Sequence, residues 1–248
     1  MFGITTIPGL VALFTIVGAI LSFYIYDYLG IKSKRVKVAE AKDSFDKIVG
    51  NLSSADNTTK LAAAIMLRRF LDGQNKRKRT FLFQESVNVI SSMLKVLPTG
   101  IFQKTLADGL AHAGNLARVD LQKTNLQDVY LGRKDETVIT VTDTDFYLAD
   151  LSYALLEHVS GKAIFYRAIL FCTQIKNSDL TGSSFREADL TRVNFKNVIL
   201  KDADFTDALN VPLRIKEKLK EGKYQDDAPV TAGHDLGLGK DIFFSMPS

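Results

Sequence analysis

An apolar residue recurs at every fifth position through the centre of this chain. A period of five fits neither the 3.6-residue turn of a helix nor the two-residue alternation of a strand. A fixed short period instead indicates a solenoid, in which each unit buries its apolar side against its neighbours. The inward-facing positions predicted by this spacing are Leu116, Leu121, Leu126, Leu131, Phe146, Leu151, Leu156, Phe165, Leu170, Ile175, Leu180, Phe185, Leu190, Phe195, Leu200 and Phe205.

The residues that precede each apolar position are also patterned. A small residue often stands two positions before it and Asp or Asn one position before it, as in Ala188, Asp189 and Leu190. This pattern resembles the pentapeptide-repeat family, whose motif is loosely A-(D/N)-L-x-x. The resemblance implies a right-handed quadrilateral β-helix with four pentads to a coil and the small and central residues pointing inward. Residues twenty apart then stack, so Phe165, Phe185 and Phe205 are expected to form one internal ladder.

Two irregularities interrupt the repeat. The segment GRKDETVITVTDT after Leu131 would place Lys134 and Glu136 inside, where an apolar core does not accept them. Part of it should therefore loop outward, although residues 138–141 can still pair as a strand. The second irregularity is a missing residue between Leu156 and Phe165, near Gly161. It predicts a bend that is either a partner-binding dent or, as the favoured interpretation, a tolerated defect.

The amino-terminal segment is apolar and long enough to cross a bilayer. Residues 4–29 contain a single charge, Asp27, and a hydrocarbon core of about 30 Å needs roughly twenty such residues. Basic residues follow this segment and none precedes it, which places the carboxyl side in the cytoplasm. A cleaved signal peptide is disfavoured because a basic start and a small-x-small cleavage site are missing. A buried core helix is the other alternative.

Between this segment and the repeat, the sequence predicts helices over residues 36–50, 60–73, 84–97 and 102–111. Pro98 ends the third of them. The first pair resembles the helical segment that separates membrane anchors from pentapeptide repeats in bacterial proteins. Basic residues nearby are candidate contacts with anionic headgroups or, for the second cluster, nucleic acid. For that second cluster a solvated turn between helices is the favoured interpretation. These basic residues are Lys32, Lys34, Arg35, Lys37, Lys76, Arg77, Lys78 and Arg79.

After the repeat, residues 211–221 predict a short capping helix, and the following stretch has the composition of a flexible linker. The chain ends in KDIFFSMPS, which resembles the opening strand of a TIR-like or other α/β signalling domain. The predicted organisation is an anchor over residues 1–33, a helical neck over 34–112, the solenoid over 113–209, and a capping helix and tail over 210–248. The fold class is therefore mixed, with a transmembrane helix, a helical neck, a β-solenoid and a carboxyl-terminal helix.

The sequence contains no recognisable catalytic constellation. The three histidines, His112, His158 and His234, are scattered, and the one cysteine, Cys172, has no neighbour that would activate it as a nucleophile. Aspartates such as Asp179 and Asp189 occupy repeat positions, where they face solvent or satisfy local backbone groups. We therefore expect no enzymatic activity, no cofactor and no metal site.

The leading hypothesis is a non-enzymatic scaffold, tethered by one span to the bacterial inner membrane, with its bulk in the cytoplasm and its solenoid bound to a protein partner. Homodimerisation is a weaker expectation. Some pentapeptide-repeat proteins mimic duplex DNA and bind type II topoisomerases, but mimicry needs an acidic rod. Residues 116–205 contain thirteen acidic and eleven basic residues, a net charge of −2. Nucleic acid is not an expected partner, because the chain's net charge of +4 is mild. A third hypothesis is a signalling or defence effector whose active domain follows residue 248.

Overall fold

The structure, a computed structural model, describes residues 34–71 and 82–230, together with residues 21, 25 and 30. The chain divides into two compact units, Met1–Lys47 and Ile48–Ser248. Most of the predicted anchor over residues 4–29, the basic run over 76–79 and the terminal KDIFFSMPS lie outside the described residues. Within the part that is described, no helix combines the length and the apolarity needed to cross a bilayer.

In residues 34–71 and 82–113, four helices precede the solenoid. Helix α1 covers residues 34–51, α2 covers Asn57–Leu67 and continues into a 3₁₀ turn at Arg68–Phe70, α3 covers Phe83–Leu94, and α4 covers Ile101–Ala113. Helix α2 begins where Asp56 accepts hydrogen bonds from the backbone N–H groups of Thr58 and Thr59, at 3.4 and 2.7 Å. Helix α4 ends at Gly114, whose φ of 65° is the left-handed conformation typical of a helix end.

Helix α4 packs against both α2 and α3 and also against the first coil of the solenoid. Its Leu106 and Leu110 are fully buried, as are Leu67 of α2 and Leu94 of α3. Gly109 allows this close approach, because a Cβ there would lie 3.2 Å from Leu71 Cδ1 and 3.3 Å from Ile90 Cδ1. Helices α2, α3 and α4 therefore form one apolar layer at the amino-terminal end of the solenoid.

The solenoid has four faces, each defined by a column of residues joined by parallel bridges. The columns are Asn115, Thr140, Ser160, Asp179 and Ile199 on the first face; Asp120, Asp145, Ile164, Ser184 and Asp204 on the second; Asn125, Asp150, Ile169, Asp189 and Leu209 on the third; and Tyr130, Leu155, Gln174 and Asn194 on the fourth. The successive coils lie within residues 115–139, 140–159, 160–178, 179–198 and 199–209.

The strands are short because each coil turns a corner every five residues. They are β1 Tyr130–Leu131, β2 Ile139–Thr140, β3 Leu155–Glu157, β4 Val159–Ser160, β5 Gln174–Asp179 and β6 Asn194–Ile199. Neighbouring coils satisfy each other's backbone, as where Phe165 donates to the Ser184 carbonyl at 2.7 Å and Ser184 donates to Ala163 at 3.0 Å. The structure is therefore a β-solenoid preceded by helices.

The corners follow from the backbone rather than from glycine. The second residue after a central apolar residue has positive φ, for example Arg167 at 55° and Glu187 at 53°. At most corners the next N–H closes a turn onto the central carbonyl, as Ala168 does onto Phe165 at 3.1 Å. Positive φ at the third position of such a turn is the signature of type II. The left-handed residue and the residue just before it consequently face outward, whereas the residue just after it, such as Ala168, is buried.

All sixteen central residues predicted from the five-residue period are buried in the solenoid, with relative exposures of 3% or less. The predicted ladder of Phe165, Phe185 and Phe205 is present, and Phe146 extends it by one coil. Successive ring centroids lie 4.9, 4.9 and 5.0 Å apart, with the rings within 8° of parallel. The interior is thus filled by side chains and leaves the outer faces for interactions.

Each irregularity changes the backbone at one corner only, and the pairing between coils resumes after it. Residues 134–138 are exposed and loop outward, as predicted, while β2 pairs with β4 in register. At the missing residue, Gly161 takes the central position with φ of 131°. Its N–H still bonds to the Asp179 carbonyl at 2.9 Å, and the bridges resume at Ile164 and Ser184. The columns continue across this defect.

Residues at each end of the solenoid are covered. At the amino-terminal end, the Asn125 N–H donates to the Leu94 carbonyl at 2.8 Å and the Ser91 hydroxyl donates to the Asp120 carbonyl at 2.6 Å. At the other end, helix α5 spans only Leu213–Lys216, and an antiparallel hairpin follows, with β7 Leu219–Lys220 and β8 Lys223–Tyr224.

The predicted capping helix over residues 211–221 is therefore too long, and the predicted linker begins too early. The N–H groups of Asp202 and Phe205 need acceptors, and the carbonyls of Tyr224 and Gly222 supply them at 2.9 and 2.7 Å. Val230 continues this cover by pairing with Val198. The carbonyls of extended backbone can accept hydrogen bonds from the last coil, whereas the carbonyls of a helix already accept hydrogen bonds within that helix.

Candidate docking surface on the solenoid

Six apolar or aromatic residues point outward on the third face and its two corners. These six belong to two adjacent coils: Tyr147, Leu148 and Tyr153 lie in the coil over residues 140–159, and Tyr166, Ile169 and Phe171 in the coil over 160–178. We call this set of six the aromatic patch. Leu209, in the last coil of the same face, is exposed as well. Tyr153 is 59% exposed, Ile169 42% and Leu148 41%. Large apolar side chains gathered on one surface, unlike single scattered ones, are typical of interaction sites.

The position of each residue in its pentad explains why the patch faces outward. Tyr147, Tyr166 and Phe171 directly follow a central residue, and Leu148 and Tyr153 are the left-handed corner residues. Ile169 belongs to the third-face column. Because the coils stack, rings of neighbouring coils meet: the equivalent residues Tyr147 and Tyr166 are stacked at 5.4 Å, while Tyr153 and Phe171 meet edge to face at 5.4 Å. The neighbouring coils thus hold these aromatic side chains in place.

A charged network borders the patch on its carboxyl-terminal side. The Arg167 guanidinium lies 5.1 Å from the Tyr166 ring centroid and donates to Glu187 Oε2 at 2.6 Å. The Tyr166 hydroxyl donates to Glu187 Oε1 at 2.9 Å. The hydrogen bonds from Arg167 and Tyr166 lower the pKa of Glu187, and the bond to Glu187 raises the pKa of the Tyr166 phenol.

Two further arginines lie in the next coil, over residues 179–198. Arg186 follows the second-face centre and Arg192 is the left-handed corner residue after the third-face centre, so they flank the third face. Both are exposed, and within the described part of the chain neither forms an ion pair. The surface therefore runs from aromatic and aliphatic side chains to arginines along the solenoid axis.

The fourth face provides an internal contrast. Its outward residues include Glu157, Lys176, Asn177, Lys196 and Asn197. Asn197 Nδ2 donates to Asn177 Oδ1 at 3.0 Å, and Asn177 Nδ2 donates to Glu157 Oε1 at 3.4 Å. Lys, Asn and Glu are typical of solvated surface, whereas Tyr, Phe and Arg are enriched at protein interfaces. The composition of the two faces differs although both rest on the same backbone.

The aspartates of the repeat are structural. Asp189 Oδ1 accepts from the Thr191 N–H at 3.0 Å and from the Thr191 hydroxyl at 2.5 Å, and Asp179 binds Thr181 in the same way. Burial would raise the pKa of Asp189, but the hydrogen bonds from Thr191 and Asn210 outweigh it and the pKa is lowered. These carboxylates hold corners, as the sequence predicts for residues that satisfy local backbone groups.

No set of three or more metal-ligating side chains is grouped among the residues that the structure describes. His158 Nδ1 lies 3.3 Å from the Glu136 carbonyl, His112 lies on α4, and Cys172 is a half-buried corner residue. Of the candidate membrane contacts, Lys34, Arg35 and Lys37 are exposed on α1, while Lys32, Lys76, Arg77, Lys78 and Arg79 lie outside the described residues.

The sequence interpretation did not identify the aromatic patch. It traced the inward positions and treated the others collectively as polar. The signal was available, because once the phase of the repeat is known, aromatic residues at positions directly after the centre stand out. Tyr147, Tyr166 and Phe171 occupy such positions, whereas most pentads have Thr, Lys, Gln or Arg there.

Comparison with known proteins agrees with this geometry. Residues 168–207 match the family model of pentapeptide repeats, in eight copies. The carboxyl-terminal part of the solenoid therefore consists of pentapeptide repeats. No curated protein sequence matches this chain.

Three solved structures similar to this chain are pentapeptide-repeat or resistance proteins. HetL, involved in heterocyst differentiation regulation in the cyanobacterium Nostoc sp., is 23% identical with a TM-score of 0.23, over 38% of this chain and 46% of HetL. Rfr23 from the cyanobacterium Cyanothece is 21% identical with a TM-score of 0.21, over 39% of this chain and 80% of Rfr23. QnrB1, a plasmid-mediated fluoroquinolone resistance protein, is 18% identical with a TM-score of 0.19, over 38% of this chain and 52% of QnrB1. The match thus spans less than half the length of HetL.

Proposed function

We propose that this chain is a non-enzymatic, membrane-tethered scaffold whose pentapeptide-repeat solenoid binds a protein partner. The observation that carries the proposal is the aromatic patch, where Tyr153, Ile169 and Leu148 remain exposed beside aromatic pairs at 5.4 Å. Exposing such side chains to water is unfavourable unless another surface covers them for part of the time. The filled interior of the solenoid supports binding on the outside rather than within a cavity.

The tether is the second part of the proposal and rests on the sequence. Residues 4–29 would cross the bacterial inner membrane once, and the basic residues after them would keep residues 34–248 in the cytoplasm. The helical neck over residues 34–112 would then join the anchor to the solenoid over 113–209, followed by the cap and tail over 210–248. A partner bound by the solenoid would be held near the membrane.

The test combines fractionation with crosslinking. Full chains that carry a photo-crosslinking residue at position 153, or at one exposed position on another solenoid face, are expressed separately in bacteria. Crosslinked products from isolated membranes are identified by mass spectrometry. We expect the chain in the membrane fraction, release of a chain lacking residues 1–33 into the soluble fraction, and one reproducible protein adduct. A chain that fractionates as soluble with residues 1–33 intact would exclude the tether. Membranes that give no specific adduct from any solenoid face would exclude the scaffold role.

A further inference from the structure

We propose that the third face is the docking surface for a short acidic polypeptide segment that also contains apolar residues. This inference deepens the proposed scaffold function and rests on it, because it states where the partner binds and what chemistry it offers. It starts from the order of side chains along the solenoid axis, aromatic patch first and arginines next.

The aromatic patch defines the apolar half of the complementary segment. Its residues occupy two adjacent coils, so equivalent side chains repeat at the spacing of neighbouring strands, about 4.8 Å. An extended or helical segment laid along this surface would place two or three apolar side chains against Tyr153, Phe171 and Ile169. Aromatic side chains supply large contact area at low entropic cost because their rings have few rotatable bonds, and here stacking already restrains them.

The arginines define the acidic half. Arg186 and Arg192 are exposed without an ion-pair partner in the described residues, and Arg167 lies in the preceding coil at the same corner as Arg186. Guanidinium groups bind carboxylates in a bidentate manner, which suits a partner carrying Asp or Glu. Glu187 is paired with Arg167, and Asp189 keeps its negative charge although Thr191 binds it. The three arginines therefore exceed the two carboxylates by one positive charge. Charge complementarity therefore favours an acidic partner over a basic one.

The size of the surface favours a short segment over a second copy of the chain. The patch and the arginines occupy three coils on one face, which at about 4.8 Å per coil is a height of roughly 15 Å and an area of a few hundred Å². A stable dimer interface covers about 800 Å² on each partner. A peptide-sized segment needs much less, and it can place both its apolar and its acidic residues on this one face.

In the experiment, a display library of short random peptides is selected for binding to the full chain in detergent micelles. The affinity of each selected peptide for the chain is then measured by fluorescence anisotropy. The variants are Tyr153→Ser and Arg192→Glu on the third face, with Lys196→Glu on the fourth face as the matched control. All three substituted residues are exposed, and thermal unfolding checks that each variant remains folded. We expect selected peptides that combine Asp or Glu with apolar residues.

We also expect Tyr153→Ser and Arg192→Glu each to weaken peptide binding about tenfold or more, and Lys196→Glu to change it less than about twofold. Selected peptides that are basic or uncharged, binding that ignores both third-face variants, or a selection that yields no binder would each overturn the inference. So would concentration-dependent dimerisation of the wild type that Tyr153→Ser abolishes, because the occupant would then be a second copy. A native partner crosslinked only to other faces would leave the scaffold proposal standing and reject this one.

Discussion

At Ser183, a side-chain hydroxyl substitutes for the turn residue missing between Leu156 and Phe165. In an ordinary pentad the small residue's N–H donates to the central carbonyl, as Ala188 does to Phe185 at 3.1 Å. After Gly161 the chain is one residue too short for that bond. The Ser183 hydroxyl in the next coil accepts from the Ala163 N–H at 3.0 Å and lies 3.4 Å from the Gly161 carbonyl. One buried serine thus satisfies the groups that the deletion leaves.

We predict that Ser183→Ala lowers the free energy of unfolding by about 1–3 kcal/mol, because the Ala163 N–H becomes buried without a partner. Alanine itself fits the position, since the equivalent residues Ala163 and Ala203 are buried in the same column of small residues. Thr173→Val is the matched control: it also removes a buried hydroxyl, but the Leu151 carbonyl keeps its bond from Ala154. In urea unfolding, Thr173→Val should lower the free energy of unfolding by only about 0.5 kcal/mol. Equal losses for the two variants would refute this role of Ser183.

Gly161 and Gly182 offer a second comparison at the same scale. A Cβ on Gly161 would lie 2.7 Å from the Thr142 backbone N, with φ at 131°, whereas one on Gly182 would meet nothing closer than 3.8 Å, with φ at 68°. Gly182 occupies the left-handed corner position that other pentads fill with Arg, Glu or Asn. We predict that Gly161→Ala lowers the free energy of unfolding by about 2–3 kcal/mol and that Gly182→Ala lowers it by about 1 kcal/mol. Thermal unfolding of both variants measures this, and a Gly182 variant that is the less stable of the two would contradict it.

At the scale of elements, stacking between coils organises both sides of each face. Inside, the ladder of Phe146, Phe165, Phe185 and Phe205 repeats at about 5 Å. Outside, Arg167, Tyr166 and Glu187 connect the coil over residues 160–178 to the next one. The outer network is exposed, so its ion pair contributes little at neutral pH, but its protonation state depends on pH.

We predict that Glu187→Gln reduces the acid sensitivity of the solenoid. The folded-state pKa of Glu187 is lowered from 4.5, chiefly by the hydrogen bonds from Arg167 and Tyr166. A lowered carboxyl pKa contributes stability above the unfolded-state value, and that contribution is lost as the pH falls through the folded-state value. The melting temperature of the wild type should therefore fall more steeply below pH 4.5 than that of the variant.

The control for this prediction is Arg167→Gln, which removes the guanidinium that donates to Glu187. It should likewise reduce the fall of the melting temperature below pH 4.5. Melting temperatures are measured by circular dichroism in matched ionic strength, because salt screens exposed pairs. Parallel curves for wild type and Glu187→Gln would show that the network does not contribute to acid stability.

The elements also show what the sequence can and cannot predict. The five-residue period predicts which residues face inward because burial selects apolar side chains at Phe185 or Leu190 regardless of distant contacts. Left-handed corners such as Arg167 and Glu187 have no sequence signature, since the stack rather than glycine enforces their φ. Helix α3 ends at Leu94 instead of residue 97, where Leu94 and Leu97 carbonyls accept hydrogen bonds from Asn125. Such non-local partners are invisible to local patterns.

For the unit that contains the solenoid, the carboxyl-terminal cap is the clearest example of a non-local determinant. Residues 211–221 have a helical pattern, yet the backbone forms a four-residue helix and a hairpin because the last coil requires acceptors for its N–H groups. Ile215 and Tyr224 are buried there, with exposures of 0% and 2%. An uncovered coil would instead present Phe205 and a row of unpaired backbone groups to solvent.

We predict that a chain truncated after Asn210 self-associates through its exposed last coil, whereas a chain truncated after Val230 does not. The first truncation removes the Gly222, Tyr224 and Val230 carbonyls that accept from Phe205, Asp202 and Asn197, and the second retains all three. Sedimentation velocity of both chains at several concentrations in the same detergent is the measurement. The shorter chain should form larger species as its concentration rises, and Phe205→Glu in that background should suppress them by placing a charge at the open end. If the shorter chain sediments as the longer one does at every concentration, the hairpin is not what protects the end of the solenoid, and the protection must come from the corner residues of the last coil.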